Sequence, residues 1–191
     1  LAEQTLEGVA ADTYQLDKTH AFLTWTVRHN GLSGYTVNFT DFDATLEFDP
    51  EDLSASSITV TINPMALETN YPDEAKRAEW HTELSTDDRF LNGDEFPEIT
   101  FVSTDISRDG DDWTITGDLT IKGVSKPVTI DFESTGSARD PFGNLRIGFE
   151  GSTTINRKDW GLTWNAALET GGVLVSDKIK LEFDISAIRN A

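Results

Sequence analysis

The sequence predicts a mainly β domain of about eight antiparallel strands with one helix, closed as a barrel or folded as a two-sheet sandwich. Apolar residues recur with period two through almost all of the 191 residues. Clusters of Gly, Pro, Asp and Asn separate these runs. One segment alone, around residue 80, changes to a helical period.

In "AFLTWTVRH" the set Leu23, Trp25, Val27 and His29 shares one face, while Phe22, Thr24, Thr26 and Arg28 point the other way. "TDFDATLEFDP" repeats the device with Phe42, Ala44, Leu46 and Phe48. The step back from Phe42 to Phe39 breaks the alternation, so a bulge or bend is expected between them. Further strands follow at Ile58, Val60, Ile62; at Ile99, Phe101; and at Trp113, Ile115, Leu119, Ile121. Val128, Ile130, Phe132, then Ile147, Phe149, then Ile179, Leu181, Phe183, Ile185 complete the series. "RDGDD", "IKGVSKP" and "RDPFGN" supply turn chemistry between strands.

The exception is "YPDEAKRAEWHTELSTDDRFL". Pro72 is suited to opening a helix and acidic residues occupy its first turn, while Arg77, Trp80, His81 and Leu84 fall at helical spacings. Trp80 and Leu84 meet at i,i+4. With no long linker or internal repeat, the chain reads as residues 1–12, an N-terminal extension or linker, followed by one domain over 13–191. A start at Leu1 rather than Met reads as a processed or excised chain.

Net charge is −19, from 34 acidic and 15 basic residues. Such a field repels phosphate backbones, so no nucleic-acid partner is expected. No apolar run reaches the roughly 18 residues of a membrane helix, so no transmembrane segment is expected. The absence of cysteine excludes disulfides, thiolate metal sites and cysteine nucleophiles.

Chemistry is sparse. His20, His29 and His81 are the only histidines and lie at no strong metal spacing, so no metal site is expected. His29, on an apolar face, reads as a buried hydrogen-bonded histidine, with contact to a ligand head group as the alternative. Asp105, Ser107, Asp109 and Gly110 imitate part of a calcium loop, but Thr116 stands where its glutamate belongs, and a hairpin turn fits better. No G-x-S-x-G elbow or phosphate-binding glycine loop occurs, and carboxylate pairs are uninformative in so acidic a chain. No catalytic residue is assigned and no enzyme is expected.

The order "TYQLDKTHA", "VRHNG", "FTDF", "FPEITFVST", "ITGDLTIKGVSKPV", "DPFGNLRIGF" and "INRKDWGLTWN" resembles the YceI-like family of lipocalin-like, isoprenoid-binding proteins, from about Thr13 to Arg189. The resemblance implies a single antiparallel lipocalin-like β-barrel around an apolar tunnel, with the amphipathic helix near the opening. It implies a bound polyisoprenoid lipid, such as ubiquinone or a polyprenyl phosphate, and no catalytic cofactor. It also implies export to the bacterial periplasm or beyond; a homodimer is left open. The family's "RDxHL" element is replaced by "RAEWHTEL", and glycines common in the family are Val37 and Ala44 here.

Strand phase selects the candidate lining: Leu23, Trp25, Val27, Phe42, Leu46, Phe48, Val60, Ile62, Phe101, Leu119, Ile130, Phe149, Leu181 and Phe183. His29 joins this set at the end of its strand, and Trp80 and Leu84 join it from the helix, expected to be a cap that moves during loading. In "INRKDWGLTWN" Asn156, Arg157 and Asp159 are suited to holding a turn at Gly161, while Trp160, Leu162 and Trp164, spaced by two, could share one apolar face. Trp160 and Trp164 are therefore also candidates. The rival from another class is a carbohydrate-binding or adhesion module of an exported protein, which requires an exposed tryptophan platform.

Overall fold

The computed structural model describes residues 9–189; the greater part of the expected N-terminal extension, residues 1–8, lies outside the described residues. β1 (Asp12–His29), β2 (Ser33–Phe39), β3 (Phe42–Phe48), β4 (Ser57–Ile62) and β5 (Leu67–Glu68) precede the helix α1 (Glu74–Thr86). β6 (Ile99–Asp109), β7 (Asp112–Ile121), β8 (Val124–Arg139), β9 (Leu145–Asn156) and β10 (Lys178–Arg189) follow.

The sheet is antiparallel and closes on itself, which decides for the barrel over the sandwich. β10 returns to β1, from Tyr14 opposite Arg189 to Thr26 opposite Lys180. The ring runs β1, β3, β4, β6, β7, β8, β9, β10. Closure removes the unpaired edges that an open sheet would present to a second chain. β1 is long enough to pair at one end with β3 and at the other with β2. The chain breaks at Thr40 and Asp41 between those two strands, where the pattern requires a bend. β2 then leaves the ring and pairs with the short β5.

On β1 the register against β10 shifts between Leu16 and Ala21. Asp17 fills this irregularity. Its carboxylate accepts from Thr19 Oγ1 at 2.7 Å, from His20 Nδ1 at 2.8 Å, and from Arg146 Nη1. Burial raises the Asp17 pKa, but these hydrogen bonds outweigh it and hold the carboxyl well below its ordinary value. Arg146 Nε also donates to Asp140, at 2.8 Å, which ties the turn between β8 and β9 to the same cluster.

Rings from five strands seal the end near the N-terminus. Trp113 stacks on Phe132 at 5.8 Å and meets Phe149 edge-on at 6.1 Å, while Phe48 bridges Trp113 and Tyr14. Val9 is buried in this cluster, and the Tyr14 hydroxyl donates to the Ala10 carbonyl at 2.9 Å, so residues 9 and 10 pack on the barrel. Gly117 on β7 allows Phe101 to lie flat: a Cβ there would stand 2.5 Å from the Phe101 ring and 2.6 Å from the Val102 carbonyl. The partial calcium-loop sequence is a hairpin, with Asp109 paired to Asp112.

Candidate functional site

A close-packed core buries its apolar residues. This barrel does so only in part: Phe48, Ile62, Phe101, Leu119 and Phe149 are buried, but the inward-facing Leu23, Phe42, Leu46, Val60, Ile130, Leu181 and Phe183 are only half-buried although they face the closed interior. The interior is hollow, as a ring of about eight strands permits.

The hollow has two chambers. The inner one, of about 160 Å³, is walled by Phe42, Leu46, Phe48, Val60, Phe101, Ile130, Phe149 and Phe183 among the expected residues. The outer one, of about 430 Å³, is walled by Trp25, Val27, His29, Trp80, Leu84 and Trp164. Leu23, Ile62, Leu119 and Leu181 belong to both walls and form the neck between them. Every residue around the inner chamber is buried or half-buried, whereas His29, Tyr71 and Arg89 of the outer one are exposed, so the opening is at that end.

Trp160 is the expected residue that lines neither chamber. Residues Arg157–Trp160 form a 3₁₀ turn rather than a strand, so spacing by two does not put Trp160 on a face with Leu162 and Trp164. Its indole is buried in the same cluster as Ile62 and Leu119 and donates to the Leu119 carbonyl at 2.9 Å, bracing a strand that forms the neck. Leu162 and Trp164 do line the outer chamber. Asn156 caps the turn by accepting from Lys158 N, and Gly161 closes it at φ 77°, a left-handed angle costly to other residues. Arg157 is buried and holds the following loop through three backbone carbonyls, whereas the exposed Asp159 makes no side-chain bond among those described.

His29 corrects the expectation of a buried, hydrogen-bonded histidine. As the last residue of β1 it projects past the ring, exposed at the rim, and its backbone bridges to Val175. Pro72 precedes the helix rather than opening it. The N-cap is Asp73, whose carboxylate accepts from Lys76 N at 2.9 Å.

α1 lies across the opening. Its Trp80 Nε1 donates to the Tyr35 hydroxyl at 2.8 Å, and that hydroxyl donates to the Thr69 carbonyl at 3.2 Å. Trp80 meets Phe90 edge-on at 5.7 Å, and Phe90 meets Trp164 at 5.4 Å. Three separate segments thus meet as an aromatic rim. Strand phase missed much of this rim: Tyr71, Phe90, Leu91, Leu174 and Val175 stand in irregular segments with no period to reveal them. Tyr35 and Phe39 could have been found, since they alternate on β2.

None of the five tryptophans is exposed, so the platform that a carbohydrate-binding module needs is missing. Among the described residues no three His, Asp or Glu side chains are grouped to hold a metal, and no helix is long and apolar enough to cross a membrane.

A closed antiparallel barrel with one open end and an apolar interior is a lipocalin-like container. The particular family follows from comparison. The YceI-like domain matches residues 14–187, and the chain belongs to that family. It is 42% identical to protein YceI of Escherichia coli over 157 residues, 81% of this chain and 78% of that one. A UPF0312 protein of Pectobacterium atrosepticum is 41% identical over 155 residues, 80% of this chain and 77% of its own. Among solved structures, the Campylobacter jejuni YceI protein superposes with a TM-score of 0.69 at 27% identity, covering 86% of this chain and 90% of that one. A domain of Saccharophagus degradans, described as polyisoprenoid binding and implicated in plant cell wall breakdown, superposes at 0.65 with 13% identity, over 95% and 100% of the two chains.

Proposed function

We propose that this protein binds and carries a polyisoprenoid lipid in its tunnel, without catalysis. The ligand would be an isoprenoid quinone such as ubiquinone or a polyprenyl phosphate, and the setting the periplasm or outside the cell. The observation that carries this reading is the hollow interior, half-buried apolar side chains around two chambers that narrow to an aliphatic neck. A prenyl chain has almost no hydrogen-bonding groups, so such walls suit it, while a sugar would leave polar groups unpaired. The polyisoprenoid binding described for the Saccharophagus degradans domain supports the same reading.

The chambers set a scale. At roughly 25 Å³ per carbon, the share of each benzene carbon in a 150 Å³ cavity, they hold roughly two dozen carbons. At about 0.3 kcal/mol per heavy atom this supplies about 7 kcal/mol, a Kd on the order of 10 μM before any head-group contact. Mass spectrometry of an organic extract from purified protein is the test. A prenylated lipid in near-stoichiometric amount is expected; trace lipid together with no uptake of added quinone would refute the reading.

A further inference from the structure

The mouth of the tunnel has two unlike sides. On one, α1 and the turn after it carry Glu74, Glu79, Glu83, Asp87 and Asp88. On the other, the β1–β2 hairpin meets the loop that precedes β10. Asn30 N donates to the Leu174 carbonyl at 2.8 Å and Ser176 N to the Arg28 carbonyl at 3.1 Å, and the loop folds back on itself where Ala167 pairs with Val173. Residues 28–39 and 156–180, which form this side, hold five basic residues and three acidic ones. Their net charge is +2 in a protein whose total is −19, so the rest of the chain carries −21. Apolar side chains project here: Leu32 is 80% exposed, Val173 is 48% exposed, and Leu168 stands half-exposed at the tip of the loop. Arg28 Nη1 donates to the Leu32 carbonyl at 3.1 Å and Ser176 Oγ to that of Lys178 at 2.7 Å, which sets both exposed cations at the foot of these loops. Neither has a carboxylate within ion-pairing distance among the described residues. Leu174 and Val175, next to Val173 in the chain, already line the outer chamber.

A single exposed leucine needs no explanation. Here three aliphatic side chains, two unpaired cations and the start of the tunnel wall adjoin one another. Salt screens charge beyond about 8–10 Å, so a surface laid against this side meets the local field and not that of the whole protein. A prenyl tail that left a bilayer through water would expose every CH2 on the way, which makes that route slow. We propose that this side of the mouth docks on a phospholipid bilayer. Leu32, Leu168 and Val173 enter the boundary between head groups and acyl chains, and Arg28 and Lys178 meet lipid phosphates. The tail passes along Leu174 and Val175 into the outer chamber without crossing water, while the acidic side with α1 stays turned to solvent. Three separate aliphatic points do not make the continuous patch that a stable protein interface requires, whereas each can insert singly among lipids. The assignment rests on the isoprenoid reading above.

The test follows uptake of a long-tailed ubiquinone by the intact protein from phosphatidylcholine vesicles, read as quenching of tryptophan fluorescence. Docking makes contact the slow step, so the uptake rate should rise in proportion to vesicle concentration; passage through water would give a rate fixed by desorption and independent of it. Leu32→Asp and Val173→Asp should each lower this rate roughly tenfold, because a carboxylate replaces a side chain that enters the bilayer. Their affinity for a water-soluble, short-tailed ubiquinone should be unchanged, since neither side chain lines a chamber. Phe142, 87% exposed in the turn beside the sealed end, supplies the control: Phe142→Asp adds the same charge and should leave the rate as it was. A rate independent of vesicle concentration, or equal slowing by all three variants, would overturn the docking and leave isoprenoid binding standing. Unchanged rates in Leu32→Asp and Val173→Asp would overturn it too, and a dimer that these changes split in sedimentation would make the patch a contact between two copies. Uptake of neither quinone would overturn both readings.

Discussion

Replacing Val60 by Phe narrows the inner chamber alone. Val60 stands on β4 between Ala44 of β3 and Phe101 of β6 in the cross-strand register, facing the inner chamber. The substitution adds four carbons, which at roughly 25 Å³ each fill about 100 Å³ of the 160 Å³ there. A ligand that reaches this chamber loses room for about one isoprene unit. At about 0.3 kcal/mol per heavy atom that is about 1.2 kcal/mol, roughly eightfold in Kd. A ligand ending at the neck loses nothing. Overpacking a filled core costs about 1–3 kcal/mol, but the new ring enters a hollow beside a small alanine, so the lipid-free melting temperature should move by only a few degrees. The assay is quenching of tryptophan fluorescence by ubiquinones of increasing tail length, since Trp25, Trp80 and Trp164 line the outer chamber. Equal weakening at every length, or none at any, would refute placement of the tail in the inner chamber.

Gly117→Ala should destabilise the fold by about 1–3 kcal/mol in urea melts, because its Cβ would meet the Val102 carbonyl, which no rotamer change relieves. Trp80→Ala should raise the quinone release rate in stopped flow more than it lowers the association rate; equal destabilisation with and without lipid, with release unchanged, would instead make α1 a fixed plug. Asp17→Ala should cost about 2 kcal/mol near neutral pH. Since the folded Asp17 pKa lies below the unfolded value of about 3.9, that contribution is complete above this value and is lost as pH falls through the folded pKa. The variant's stability should therefore fall less steeply in acid than the parent's, as pH-dependent chemical denaturation would show.

Fourteen of the candidate lining residues came from strand phase, and all fourteen line a chamber, because closure forces one face of every strand inward. Two things were not legible. Whether the inward face encloses packed atoms or a hollow depends on summed side-chain volume against barrel diameter, which alternation does not encode: the same pattern would serve a filled barrel. The opening was the other. Phe90 and Val175 reach the outer chamber from segments whose shape is fixed by individual caps and long-range contacts. The Arg157 side chain holds Ser176, nineteen positions away, which no local period could announce. Trp160 shows the converse error, a spacing of two carried into a segment that has stopped being a strand.

The two ends of the barrel are held by interactions of different extent, and this determines where it would yield. At the sealed end, Tyr14, Phe48, Trp113, Phe132 and Phe149 come from β1, β3, β7, β8 and β9, so parting those rings means parting paired strands. At the mouth, α1 buries only Leu84 and Ser85 and is pinned to β2 through the Trp80–Tyr35 hydrogen bond, while Phe90 joins Trp80 to Trp164. One neutral hydrogen bond and two aromatic pairs amount to on the order of 2–4 kcal/mol, and exposing the buried Leu84 adds about 1.5–3 kcal/mol. An opening that costs on the order of 4–7 kcal/mol is populated in roughly one molecule in a thousand or fewer, a rare state but one reached without global unfolding. A lipid touching both Trp80 and Trp164 would gain those contacts only when the helix is shut. Occupancy would then hold the mouth closed, and loss of the Trp80 ring should be felt first in the rate at which the ligand leaves.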